Sequence, residues 1–182
     1  MILLGVGIIG CGNISTSECR LAPMCGALDL RAVADINMDA ARARAAEFDL
    51  RAETVDDLLA APDIDVIVNL TIPAVHYEVT KRILEAGKHA YSEKPLVLTL
   101  EEAEDLRELA AAKGLSIGSA PDTFLGGAHQ QALATIDAGK VGRLIGGTCH
   151  VLRHGMESWH PNPDFFYQPG SWPPSDIVPY YV

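Results

Sequence analysis

The chain has 182 residues, enough for one ordinary domain or for one domain and part of a second. Hydrophobic residues make up 48% and charged residues 21%, values of a folding globular chain that exclude a disordered one. Lys and Arg number 14 against 24 Asp and Glu, a formal charge of −10. That balance disfavours nucleic acid as a partner, because neutralising a phosphate backbone takes a basic surface.

The start, Met1 to Cys11, is apolar, and Ile8-Ile9-Gly10-Cys11 imitates a lipoprotein cleavage box. No Lys or Arg precedes it, as an export signal requires, so it is not read as one. No apolar run approaches the roughly 20 residues of a membrane-spanning helix. Cys11, Cys19, Cys25 and Cys149 have no CxxC spacing, so neither a zinc site nor a disulfide framework is expected. The expectation is a cytoplasmic protein with no metal and no membrane partner.

In chain order, short β-rich runs alternate with helical patterns. Ile2 to Ile9 reads as a strand, Asn13 to Met24 as a helix, and Leu28 to Ala34 as a second strand. An Ala/Arg-rich helix follows over Asp39 to Phe48, with Asp39 placed to cap it. Arg51 to Thr54 is a short third strand and Val55 to Leu59 a brief helix. Asp65 to Leu70 is apolar through its middle, as a strand covered on both faces must be. Val75 to Ala86 is a helix stopped by Gly87, Lys88 to Ser92 a fifth strand, and Leu100 to Lys113 a helix stopped by Gly114. Leu115 to Ser119 completes six strands. The alternation predicts an α/β fold, a doubly wound parallel sheet of the Rossmann type with right-handed crossovers, over residues 1–121.

From residue 122 the texture changes, and residues 122–182 are expected to be an incomplete α+β second domain. Phe124 to Ala138 reads as a helix ended by Gly139, and Arg143 to Arg153 as a strand. Six of the 11 prolines fall after residue 160, which rules out long regular structure there. One helix and one strand make no independent core.

The segment Gly10-Cys11-Gly12-Asn13-Ile14-Ser15, between the first strand and the first helix, has the G-x-G-x-x-small pattern of a dinucleotide phosphate loop. Gly10 permits the tight turn, Gly12 lets the backbone approach a diphosphate, and Ser15 is small enough for the helix to pack on the sheet. Asp35 ends the second strand 25 positions after Gly10, where a carboxylate accepts hydrogen bonds from an adenosine ribose. Ile36 offers no cation for a 2′-phosphate, which favours NAD over NADP, with NADP kept as the alternative. The plainer alternative is that Asp35 caps a turn, but loop, strand context and acid agree on the cofactor reading.

Two further segments follow strands at their carboxyl ends, where open sheets bind ligands: Asn69 to His76, and Tyr91 to Leu96. A lysine beside a nicotinamide polarises a hydroxyl or carbonyl and moves its proton, which points to Lys94. Judged singly, Lys94 reads also as a solvated lysine and His76 as the cap of the helix after it.

Together these segments resemble the Gfo/Idh/MocA family of NAD(P)-dependent oxidoreductases. The resemblance runs through Val6-Gly7-Ile8-Ile9-Gly10-Cys11-Gly12-Asn13-Ile14, Thr71-Ile72-Pro73-Ala74-Val75-His76, Glu93-Lys94-Pro95-Leu96 and Ile136-Asp137-Ala138-Gly139-Lys140-Val141-Gly142. It implies hydride transfer between nicotinamide and a sugar- or cyclitol-like CH–OH carbon, with Lys94 at that carbon. It also implies a cis Lys94–Pro95 bond and a cofactor lined by Gly10, Gly12, Asn13, Ile14, Asp35, Ile36, Thr71, Pro73, His76, Glu93 and Lys94.

The family's second catalytic cluster is Asp-x-x-x-His on a helix. Here Asp176 matches, and Tyr180 stands in place of the histidine, as in some relatives. With a reference pKa near 10, Tyr180 would be the weaker base at neutral pH. His154 and His160 are candidates for substrate hydroxyls, or else surface-loop histidines. The segment His160 to Gly170 resembles one subgroup of the family's dehydrogenases, but bulky Trp172 and Val178 replace glycines of that subgroup, and the chain stops at Val182 where the family continues. A shortened relative is therefore expected, lacking the sheet that floors the substrate pocket and carries the oligomer contacts of the family. Two functions stay open: an oxidoreductase on a small polyol or sugar, or a nucleotide-binding protein that holds NAD without turnover. A methyltransferase also uses a glycine loop and an acid but does not predict Glu93-Lys94-Pro95.

Overall fold

Strand β1 (Leu4–Ile9) owes its unbroken apolar character to being covered on both faces. Ile8 joins the cluster of Cys19, Val33, Ala41 and Ala45 on one side. Ile9 joins that of Leu58, Ile67, Ile83 and Leu106 on the other. The computed structural model describes residues 3–121, 123–148, 150, 152, 154–158, 163–164 and 180. The chain divides into two compact units, 1–120 and 121–182.

In the first unit, β1 is joined by β2 (Leu28–Ala34), β3 (Arg51–Glu53), β4 (Val66–Asn69), β5 (His89–Ser92) and β6 (Ile117–Ser119) in one sheet. Every pairing is parallel and the order is β3-β2-β1-β4-β5-β6. The order reverses between β1 and β4, the place where open parallel sheets bind ligands in the crevice between the following loops.

Helices α1 (Ser15–Leu21) and α2 (Met38–Phe48) supply Cys19, Ala41 and Ala45 to the Ile8 cluster. Helices α3 (Val55–Ala60), α4 (His76–Glu85) and α5 (Leu100–Lys113) supply Leu58, Ile83, Leu84 and Leu106 to the Ile9 cluster. The α/β, doubly wound parallel sheet is thus as expected. α5 shows why its ends were readable: Thr99 and Glu102 form a reciprocal capping box, and Gly114 closes the helix at φ +65°.

Two local expectations need correction. α1 is shorter than Asn13 to Met24, because Pro23 lacks a donor and the chain tightens into a 3₁₀ turn over Ala22–Met24. The cap of α2 is Asn37, not Asp39. Asn37 is extended and its side chain accepts from the Asp39 amide at 3.1 Å. Asp39 lies in the first turn, where a carboxylate suits the helix dipole, and it pairs with Arg42 at 3.0 Å.

In the second unit a 3₁₀ turn (Thr123–Leu125) precedes α6 (Gly127–Asp137), so the helix expected from Phe124 is interrupted at Gly126, which is extended. The strand expected over Arg143 to Arg153 is not formed among the described residues. Positions 143–148, 150 and 152 are exposed and pair with no strand, and without a ladder partner an isolated run gains nothing from being extended. Among the described residues, no helix is long and apolar enough to cross a membrane.

Ile83 on α4 is fully enclosed between α5 and the sheet. Ile83→Ala is expected to lower stability by about 2–5 kcal/mol, read as a reduced urea midpoint with an unchanged slope.

Candidate functional site

The first strand delivers its loop to the crevice through Gly10. Its φ is +105°, and a Cβ there would lie 2.7 Å from the Leu70 backbone, so a side chain is refused both by conformation and by space. The Gly10 amide donates to Ala34 O at 2.9 Å and the Leu70 amide to Ile9 O at 2.8 Å, tying the ends of β1, β2 and β4 together. Gly12, Asn13 and Ile14 are exposed beyond this tie. A Cβ on Gly12 would meet nothing within 4 Å, so the loop backbone is open to a ligand. Ser15 is buried, and its hydroxyl is satisfied by donating to Gly12 O at 2.7 Å.

Asp35, at the end of β2, turns its carboxylate back to this loop. One oxygen accepts from the Cys11 amide at 2.7 Å, and the other accepts from the Asn37 amide at 2.8 Å. The acid is half-buried, whereas Ile36 beside it is 98% exposed. An exposed glycine backbone with an acid aimed at it has the donor and acceptor types that a dinucleotide's diphosphate and ribose call for. In these two bonds Asp35 acts as a turn acceptor, and its carboxylate keeps further lone pairs beyond them.

Sequence reading did not single out Arg44. From α2 it sends Nη2 to within 3.3 Å of Gly12 O, and it pairs with Glu47 while its guanidinium lies 6.0 Å over the Phe48 ring. The available signal was the buried pair Ala41 and Ala45, which marks the face of α2 turned to the sheet. Arg44 adjoins that face.

Burial pushes the Cys11 thiol up to about 11, with the Asp35 carboxylate adding to the effect and Arg44 opposing it. The thiol accordingly stays neutral beside the loop, and its sulfur lies 3.6 Å from Ala34 O.

At the end of β4, Asn69 is fully buried. Its Oδ1 accepts from the Thr71 hydroxyl at 2.6 Å and from the Thr71 amide at 3.2 Å. Its Nδ2 donates to His76 O at 3.2 Å and to the Thr80 hydroxyl at 3.1 Å. His76 begins α4 but its ring does not cap that helix. The ring is 1% exposed, with Nδ1 2.6 Å from Pro95 O and Nε2 2.9 Å from Thr71 O. Glu93, Lys94 and Pro95 follow β5 and are half-buried, and so are Thr71 and Pro73. The Glu93 amide donates to Asn69 O at 2.9 Å and the Lys94 amide to a Glu93 carboxylate oxygen at 3.0 Å. The Lys94–Pro95 bond is cis.

The structure therefore brings Gly10, Gly12, Asn13, Ile14, Asp35 and Ile36 to the ends of β1 and β2, and Thr71, Pro73, His76, Glu93 and Lys94 to the ends of β4 and β5. In the second unit His154 is exposed, and Tyr180 is half-buried with its carbonyl accepting from the Thr123 hydroxyl at 3.2 Å. Asp176 and His160 lie outside the described residues.

The sheet order and the loop at its reversal define a dinucleotide-binding Rossmann unit. Residues 4–120 match the Gfo/Idh/MocA model, an oxidoreductase family with an NAD-binding Rossmann fold. The chain belongs to that family. An inositol 2-dehydrogenase/D-chiro-inositol 3-dehydrogenase of Lacticaseibacillus casei is 32% identical over 62% of this chain and 34% of its own length. A dTDP-3,4-didehydro-2,6-dideoxy-α-D-glucose 3-reductase of Saccharopolyspora spinosa is 31% identical over 76% of this chain and 42% of its own. Among solved structures, KijD10, a 3-ketoreductase from Actinomadura kijaniata in complex with NADP, is 29% identical with a TM-score of 0.70, over 77% of this chain and 45% of that one. The chain thus spans less than half the length of these relatives.

Cys25 is exposed and Cys11 is buried with a raised pKa. Because the thiolate is the reactive form, iodoacetamide at pH 8 is expected to label Cys25 at least about 10-fold faster than Cys11, as read by peptide mass mapping.

Proposed function

We propose that this protein is an NAD-dependent oxidoreductase acting on a CH–OH carbon of a sugar or cyclitol, with NADP as the lesser alternative. The observation that carries the reading is the 2.7 Å contact between the Asp35 carboxylate and the Cys11 amide, which unites the acid and the glycine loop at the reversal of the sheet. The relatives that act on inositol and on a dTDP-sugar support the substrate class.

In this reading Gly12, Asn13 and Ile14 offer backbone to the diphosphate, and Asp35 accepts from the ribose hydroxyls. Ile36 leaves the 2′ position without a cation. Thr71, Pro73, Glu93 and Lys94 form the opposite side, at the ends of β4 and β5, with the buried His76 beneath them. The nicotinamide, when bound, supplies the acceptor for the hydride leaving the carbon. Lys94 relays the hydroxyl proton released with it, and its position next to Glu93 and Pro95 holds it at the mouth of that strand pair. Asp176 and Tyr180 enter as catalytic residues from the sequence pattern alone, Asp176 to orient the sugar or Lys94.

Calorimetric titration tests the cofactor half. NAD is expected to bind more tightly than NADP, and Asp35→Ala to weaken NAD by about 10- to 100-fold, the worth of hydrogen bonds to a charged acceptor. Unchanged affinity would contradict the ribose assignment. Ile36→Arg is expected to narrow or reverse the preference against NADP.

A sugar and polyol panel followed at the NADH absorbance tests the chemistry. Lys94→Ala should abolish turnover while keeping NAD affinity within a few-fold. NAD binding with no turnover on any polyol would instead favour the nucleotide-binding reading.

A further inference from the structure

β4 and β5 run in register to the pair Asn69 and Ser92, after which their chains separate into the Thr71 loop and the Lys94 loop. One side chain reconnects them. The His76 ring stands between the carbonyls of Thr71 and Pro95, at 2.9 and 2.6 Å, and is sealed from solvent. Both carbonyls only accept, so a ring with one N–H donates to one of them and sets its other nitrogen against the second, and it donates to both only with both nitrogens protonated.

The ring is held from behind. Asn69 accepts from Thr71 through its side chain, receives the Glu93 amide on its backbone carbonyl and donates to His76 O. Thr80, one turn into α4, takes the second Asn69 donor. Both loops that flank Lys94 are therefore referenced to a single buried unit of Asn69 and His76. A ring buried this deeply has no face left for a cofactor.

We propose that His76 is a positioning residue. By bridging Thr71 and Pro95 it sets where Lys94 stands relative to the Thr71 loop, and it acts on the reacting end of the dinucleotide only through those loops. This rests on the dinucleotide reading above. It assigns His76 a different part from that of a residue touching the cofactor.

The test uses the full chain with His76→Leu and His76→Gln, the latter keeping an N–H donor. NADH and ADP are titrated by fluorescence and calorimetry, and Lys94 acetylation by limiting acetic anhydride is mapped against exposed Lys113. For His76→Leu, NADH affinity is expected to fall about 10-fold with ADP affinity within two-fold of wild type. Lys94 acetylation should change at least about three-fold while that of Lys113 does not. His76→Gln should recover part of both. Parallel losses of NADH and ADP affinity, or no change in either NADH affinity or Lys94 acetylation, would overturn the proposal. Wild-type protein binding neither nucleotide would instead sink the functional reading, and this inference with it. Should His76→Leu fail to fold, the glutamine variant carries both measurements.

Discussion

The carboxylate of Asp35 closing on the amide of Cys11 is the interaction on which the rest of the candidate site depends. It joins residues 24 apart, at the ends of two neighbouring parallel strands, across a turn that only glycine makes. Gly10 must lie against Leu70 for the turn to close, and that contact ties the loop to the far side of the crevice as well. The β1 loop is consequently referenced to β2 through a charge-assisted hydrogen bond and to β4 through close packing. Such a loop is preorganised, so little ordering cost remains for a ligand to meet.

Preorganisation on the other side of the crevice has a different physical basis. There the polar groups are buried instead of exposed: Asn69, His76 and Thr80 lie within the protein, and all three have partners. A buried network of this kind costs stability wherever a member is left unpaired, so its geometry is sharply defined when complete. The two halves of the crevice thus differ in character. One presents open backbone to a ligand; the other locks two loops from beneath.

The sheet was legible because its strands are apolar on both faces and its helices end in chemically specific ways, as at Thr99, Glu102 and Gly114. Where two residues competed for one role, pattern alone did not decide: Asn37 and Asp39 both suit a helix cap, and the backbone angles choose Asn37. The expected strand after Arg143 had suitable residues but no neighbour to pair with among the described ones, and strand formation is a property of pairs. At the site, the glycine loop and Asp35 were legible because backbone approach and charge dictate residue type. The contact of Arg44 with Gly12 O, and the depth of His76, were not, because both depend on how α2 and α4 rotate onto the sheet.

The overall charge of −10 sets one further constraint on the proposed diphosphate site. A ligand of the same sign as the protein is held only where the local field reverses, and within a Debye length of about 8 Å the near groups outweigh the distant ones. Arg44 provides a cation against the loop, although Glu47 takes part of its charge. Asp35 spends its oxygens on amide donors, which lowers the field it presents to the loop. Cys11 is the remaining titratable group on the loop itself. A thiolate there would add a negative charge at the point of closest approach, and burial prevents it by holding the thiol neutral up to about pH 11. Enclosing the sulfur therefore serves the core and the loop at once: the same desolvation that lets Cys11 pack with Ile8 and Val33 keeps the exposed loop backbone free of a negative charge.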